Sequence, residues 1–241
     1  MKNILLTGIS KGLGIEIAKI LLKKDYHVYG ISRSETPELL SLKAEFPEHL
    51  RTIKYDLSKV RDVKSVIFTE FLPLSVSLHG FINNAAVAYD DIVTNANYDK
   101  LKASFDVNFF IPVIITKYAI RNMLFNNVAG SVVHISSISV HTGYKGLSMY
   151  AASKGALEAF SKNTSREWGE RGIRSNCIVA GFMETEMNSN LTVQQKNRIY
   201  NRTALKKPTS SLSVASTIDY LLSDAASSIT GQNIFVDSGT I

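Results

Sequence analysis

Short apolar, β-branched runs recur along this chain, and stretches of helical periodicity separate them. The runs read NILLT near the start, HVYGIS from His27, TIKY from Thr52, HGFIN from His79, SVVHIS from Ser131, SNCIVA from Ser175 and NIFVD from Asn233. Between most of them apolar residues fall at helical intervals, as at Leu13, Ile17 and Leu21, or at Val63, Ile67 and Phe71. Strands that alternate with helices pair in parallel, and right-handed crossovers then lay helices on both faces of one sheet. The expected fold is therefore α/β: a doubly wound parallel sheet of about seven strands, flanked by helices on both faces. No proline- or glycine-rich linker, repeat or low-complexity segment interrupts the pattern, so residues 1–241 read as a single domain.

A length of 241 residues with 45% hydrophobic content supports a sizeable core. One cysteine, Cys177, excludes an internal disulfide and a cysteine-based metal cluster, and no metal is expected. No window holds about 18 uninterrupted apolar residues, and the opening ILLT is too short for a secretion signal. A cytoplasmic protein without membrane contact is expected. The net charge of +6 comes from scattered basic residues with no zinc-finger or RNA-recognition spacing. That argues against a nucleic-acid partner and for steering of anionic substrates or cofactors.

Three segments carry chemistry. In TGISKGLG, Thr7 to Gly14, the glycines Gly8, Gly12 and Gly14 lie between the first strand and a helix. There they allow a tight turn and bring backbone amides close to a pyrophosphate, although the spacing is not GxGxxG. At the end of the second strand, where an acidic residue would bind the ribose of NAD, the chain reads Ser32-Arg33-Ser34. Arginine suits a 2′-phosphate, and Lys11 adds a second charge, so NADP(H) is the expected cofactor. In MYAASKG, Tyr150 and Lys154 stand four apart, one above the other on a helix. An ammonium so placed would lower the tyrosine pKa by about one to three units, although solvated helix faces carry the same pair commonly. The polar stretch 182–207, following Gly181, reads as a lid over substrate.

Together, TGISKGLG, NNAA at Asn83–Ala86, DVNFF around Asn108, HISS ending at Ser137 and YAASK at Tyr150–Lys154 resemble the short-chain dehydrogenase/reductase (SDR) family. The resemblance covers essentially the whole chain, and Tyr150 follows Ser137 by thirteen positions, the interval that selects Ser137 over Ser136. It implies a Rossmann-type domain with a catalytic tetrad of Asn108, Ser137, Tyr150 and Lys154. Tyr150 would protonate the carbonyl oxygen and Ser137 would hold it. Lys154 would depress the tyrosine pKa and bind the nicotinamide ribose, and Asn108 would hold a water that leads to Lys154. The cofactor set implied is Thr7, Gly8, Ser10, Lys11, Gly12, Leu13, Gly14, Arg33, Asp56, Leu57, Asn84, Ala85, Tyr150, Lys154, Gly181 and Thr185. Ser137, His141, Tyr144 and Tyr150 would face substrate. Ala86 replaces the glycine usual in NNAG, and Ala180 the proline usual before Gly181.

Within the family the run is most similar to 3-oxoacyl-(acyl-carrier-protein) reductases. Arg171 matches one basic position that holds an acidic carrier protein, but Val128 stands at the other. The resemblance implies an NADPH-dependent reductase that turns the ketone of a 3-oxoacyl thioester, carried on acyl-carrier protein, into a secondary alcohol, a keto sugar or another small biosynthetic ketone being the alternative substrate. A homotetramer or homodimer is implied. A non-enzymatic NADP(H) sensor would be expected to have lost tetrad members.

Overall fold

A computed structural model describes residues 1–185 and 191–241. Its centre is a seven-stranded sheet, entirely parallel, in the order β3-β2-β1-β4-β5-β6-β7. The strands are β1 (Asn3–Thr7), β2 (His27–Ser32), β3 (Leu50–Lys54), β4 (Leu78–Asn83), β5 (Ser131–Ser137), β6 (Arg174–Ala180) and β7 (Asn233–Val236). The expected runs match them with ends moved by a residue or two. The main helices are α1 (Leu13–Leu22), α2 (Pro37–Glu45), α3 (Tyr98–Phe105), α4 (Ile111–Phe125), the short α5 (Ser139–Thr142), α6 (Ser148–Trp168), α7 (Val193–Tyr200) and α8 (Ser211–Leu222).

Side-chain alternation in the central strands explains the two-sided core. In β1, Ile4 and Leu6 point to a layer shared with Ile17 and Leu21 of α1 and Ile218 and Leu222 of α8. Leu5, between them, points to the opposite layer with Ile67, Ile115, Ile120 and Val132. The Val63–Phe71 segment, with its helical spacing, forms a π-type helix and buries Val63, Ile67 and Phe68. Tyr98–Phe125 is a continuous helical stretch apolar and long enough in composition to cross a membrane. Its apolar residues Ile111, Ile115, Ala119, Ile120 and Met123 are buried against the sheet.

Strand order reverses direction between β1 and β4, and a crevice opens there beyond their carboxyl ends. Thr7 and Asn84 fasten its two sides. Thr7 Oγ1 accepts the N–H groups of Asn84 and Ala85, each at 3.1 Å. Asn84 Nδ2 donates back to the carbonyls of Thr7 (3.0 Å) and Gly8 (3.1 Å). This fixes the site before any side chain with reactive chemistry is considered.

Candidate active site

The crevice widens into a cleft of about 1060 Å³ running from Arg33 and Asp56 at one end, past the turn before α1, to Tyr150 and Lys154 at the other. Gly8 and Gly14 explain the shape of the turn. Gly8 has φ +74°, and a Cβ there would stand 2.8 Å from Asn84 Nδ2. A Cβ on Gly14 would lie 1.9 Å from the Gly8 carbonyl oxygen, so α1 can begin this close to the loop only without one. Gly12 caps α1 without a side-chain hydrogen bond, leaving amides of the first turn to a ligand.

At the far end Ser32 Oγ donates to the Ser34 carbonyl at 2.9 Å, tightening the turn that presents Arg33. Thr36 joins this turn to the glycine loop: its hydroxyl donates to the Ser10 carbonyl at 2.6 Å and also caps α2 by accepting from Leu39 N–H at 3.2 Å. Asp56 lines the same end, and its carboxyl is held below the usual range mainly by the Ser58 N–H, with Arg33 adding to the effect. Ser10, Lys11, Leu13, Leu57, Ala85, Ala86, Gly181 and Thr185 also line the cleft.

At the reactive end, Tyr150 and Lys154 share a face of α6, the Lys154 nitrogen 5.8 Å from the centre of the tyrosine ring. Lys154 is 1% exposed and donates to the Ile135 carbonyl at 2.7 Å. Burial lowers its pKa to about 8 and pushes Tyr150 up to about 12, the latter aided by the negative charge of Asp90. The expected depression of the tyrosine pKa by lysine is therefore corrected. In the protein alone desolvation sets the direction of the shift, and the resting form is the neutral phenol. Ser137 Oγ accepts Ser139 N–H at 3.2 Å and faces the cleft, its own proton not spent on any described residue. Ser136 also lines the cleft, but its hydroxyl donates to Glu158 Oε1 at 2.5 Å.

Four expected site residues stand behind the wall instead of on it. Thr7 and Gly14 shape the turn, as described above, and neither lines the cleft. Asn108 is fully buried in a π-helical stretch, Asp106–Phe110. Its Oδ1 accepts Val87 N–H at 2.9 Å, and its Nδ2 donates to the Val87 carbonyl (2.9 Å), Ser104 Oγ (3.3 Å) and Ser153 Oγ (3.0 Å). The side-chain amide thus braces Val87 and with it this wall of the cleft. His141 is the fourth: Nε2 lies 3.0 Å from a Glu158 carboxylate oxygen, and the ring meets Phe235 edge-on at 5.0 Å, outside the cleft. Its position between Ser137 and Tyr150 was a poor guide because α5 turns it away. Tyr144 does line the cleft.

Asp90, Lys145 and Arg202, outside every motif named above, line the reactive end as well. Lys145 adjoins Tyr144 and could have been inferred from it; Asp90 and Arg202 carry no motif. The lid, 182–207, falls partly outside the described residues at 186–190. Its described part includes α7, whose Tyr200 hydroxyl donates to Glu184 Oε1 at 2.6 Å. Among the described residues no group of three or more potential metal ligands occurs, and Cys177 is buried with its thiol pushed up to about 12 by desolvation.

The family profile described as Enoyl-(Acyl carrier protein) reductase matches residues 8–240. L-xylulose reductase from Caenorhabditis elegans is 30% identical over 240 residues, spanning 99% of this chain and 95% of that protein. The 3-oxoacyl-(acyl-carrier-protein) reductase of Rickettsia felis is 30% identical over 240 residues, spanning 100% and 97%. Among solved structures, 4-hydroxyisoleucine dehydrogenase complexed with NADH superposes with a TM-score of 0.92 at 28% identity, covering 100% of this chain and 98% of that one.

Proposed function

The chain belongs to the short-chain dehydrogenase/reductase family, and on that basis we propose that it is an NADP(H)-dependent reductase of a small ketone, yielding a secondary alcohol. One observation carries the reading: Tyr150, Lys154 and Ser137 line the same continuous cleft as the glycine turn and Arg33. The residues present fit a dinucleotide. The uncapped first turn of α1 suits its pyrophosphate, Asp56 its adenine, Arg33 and Lys11 a 2′-phosphate, and Lys154 the nicotinamide ribose. When bound, the reduced nicotinamide supplies the hydride for the carbonyl carbon.

The protein's own residues do the rest. Ser137 donates its hydroxyl proton as a hydrogen bond to the carbonyl oxygen and holds it beside Tyr150. The Tyr150 phenol gives up its proton as that oxygen turns negative. Lys154 holds a positive charge next to the ring, which stabilises the phenolate left behind. Asn108 keeps Val87, and with it that wall of the cleft, in place.

The carrier-borne acyl chain is the weaker substrate reading. Arg171 is exposed, but Val128, at the second expected basic position, packs against the core. A free small ketone fits this better. The test is consumption of NADPH, with NADH in parallel, against acetoacetyl thioesters, acetoacetyl-carrier protein, keto sugars and simple keto acids. Turnover of free ketones with NADPH preferred is expected; cofactor binding without turnover of any of them would contradict the reading.

A further inference from the structure

Two cations at the substrate end of the cleft have no part in the chemistry described so far. Arg202 follows α7, three positions after Ile199, and both line the cleft, so one face of that helix end looks inward. Its guanidinium lies over the Tyr144 ring, Cζ 5.7 Å from the ring centre. The shelf is held in place: Leu147 N–H donates to the Tyr144 carbonyl at 3.2 Å, and Asp91 N–H to the Gly146 carbonyl at 2.9 Å. Lys145 lines the same wall. Among the described residues no carboxylate stands within 4.0 Å of Arg202 or Lys145. Surface lysines elsewhere, such as Lys102 and Lys43, are paired.

Of the acids nearby, the Asp91 carboxylate accepts Ile92 N–H at 2.8 Å and Asn95 Nδ2 at 3.1 Å, and Asp90 lines the same cleft without an ion pair to either cation. A guanidinium held over an aromatic ring by its charge spends none of its N–H donors there, and a pair of those donors matches two carboxylate oxygens. We propose that Arg202, seated on Tyr144 and assisted by Lys145, anchors a carboxylate of the substrate, which makes the substrate class a small keto acid. Asp90 sets where that carboxylate sits: a second negative charge beside the reacting carbonyl would repel it, so the acid group is separated from the ketone by methylene carbons. This rests on the reductase reading, and its test is designed to fail separately.

The probes are 4-oxopentanoate and 5-oxohexanoate, each against its neutral amide, in steady-state NADPH oxidation. Pentanoate and pentanamide binding to the NADPH-loaded protein is measured by calorimetry alongside. The proteins are wild type, Arg202→Gln and Arg202→Lys. Wild type should prefer at least one keto acid over its amide by about tenfold or more in kcat/KM, expressed in KM. Arg202→Gln should erase the preference with kcat little changed, Arg202→Lys should keep part of it, and pentanoate binding should weaken about tenfold in Arg202→Gln. Equal use of acid and amide, or a preference that survives Arg202→Gln, overturns the anchor while leaving the reductase reading intact. If no ketone is reduced, pentanoate binding that depends on Arg202 upholds the anchor and counts against the reductase reading. Binding that is absent, or indifferent to Arg202, overturns the anchor.

Discussion

Lys154 is a charged group held where charge is disfavoured, and the consequence can be read from its titration. Its pKa in the folded protein is about 8, against 10.5 ordinarily. Between those values the unfolded chain binds the extra proton, so this residue makes stability rise with pH across that window. Below pH 8 the buried ammonium destabilises the fold by an amount on the order of 3 kcal/mol, from about 1.4 kcal/mol per pKa unit. Lys154→Met should therefore raise Tm at pH 7, by somewhat less than that figure implies because the bond to Ile135 is lost. The advantage should shrink toward pH 10 while turnover disappears; a lower Tm at pH 7 would contradict the account. Discharge of the same ammonium predicts that wild-type reduction declines as pH rises through about 8, read from kcat/KM against pH. At the other end of the cleft, Arg33→Gln should raise KM for NADPH by about 10- to 100-fold and leave KM for NADH nearly unchanged. Equal effects on both cofactors would remove Arg33 from 2′-phosphate recognition.

Among the elements, the start of α1 is the most tightly specified. Because a methyl group at Gly14 would meet the Gly8 carbonyl, Gly14→Ala should cost about 1–3 kcal/mol or more, measured by denaturant unfolding, and weaken cofactor binding as the turn shifts. Gly169, after α6, has φ −59°, and a methyl group there would meet nothing within 4 Å. Gly169→Ala should be neutral or stabilising by up to about 1 kcal/mol. Similar losses at both positions would contradict the packing argument. The π-helical stretch around Asn108 makes the same point through hydrogen bonds: Asn108→Ala strands both the N–H and the C=O of Val87, and should cost about 2–4 kcal/mol. These features differ in how openly the sequence displays them. Glycines in a turn and a Tyr-Lys pair one turn apart can be seen directly, since local spacing produces them. The roles of Asn108 and His141 depend on which wall a helix turns toward, and nothing in DVNFF or SVHT encodes that direction.

For the molecule as a whole, alternation of apolar runs with helical stretches was enough to predict a parallel sheet with helices on both faces. The strands fall where the runs lie because β-branched residues buried on both sides have few other solutions. The cleft was legible too, as the glycine turn, Arg33, Ser137 and the Tyr150–Lys154 pair each sit at or near the carboxyl end of a strand or on the helix beside it. Arg202 was not, because it stands far along the chain from those motifs and reaches the site through contacts between elements that local pattern does not record. The pKa of Tyr150 was misjudged for a related reason: the lysine's proximity is local, whereas desolvation is a property of the assembled fold. We further propose that the protein assembles as a homotetramer or homodimer through the face of α6 that exposes Ala152 and Ala159. Light scattering should then give a mass of two or four chains, and Ala159→Arg should reduce it. The central claim is proton donation by Tyr150 to a carbonyl oxygen, and the most direct measurement compares wild type with Tyr150→Phe on the best-reduced ketone. NADPH affinity should stay within about a factor of three while turnover falls about 100-fold to 10,000-fold; turnover close to wild type would remove Tyr150 from the chemistry.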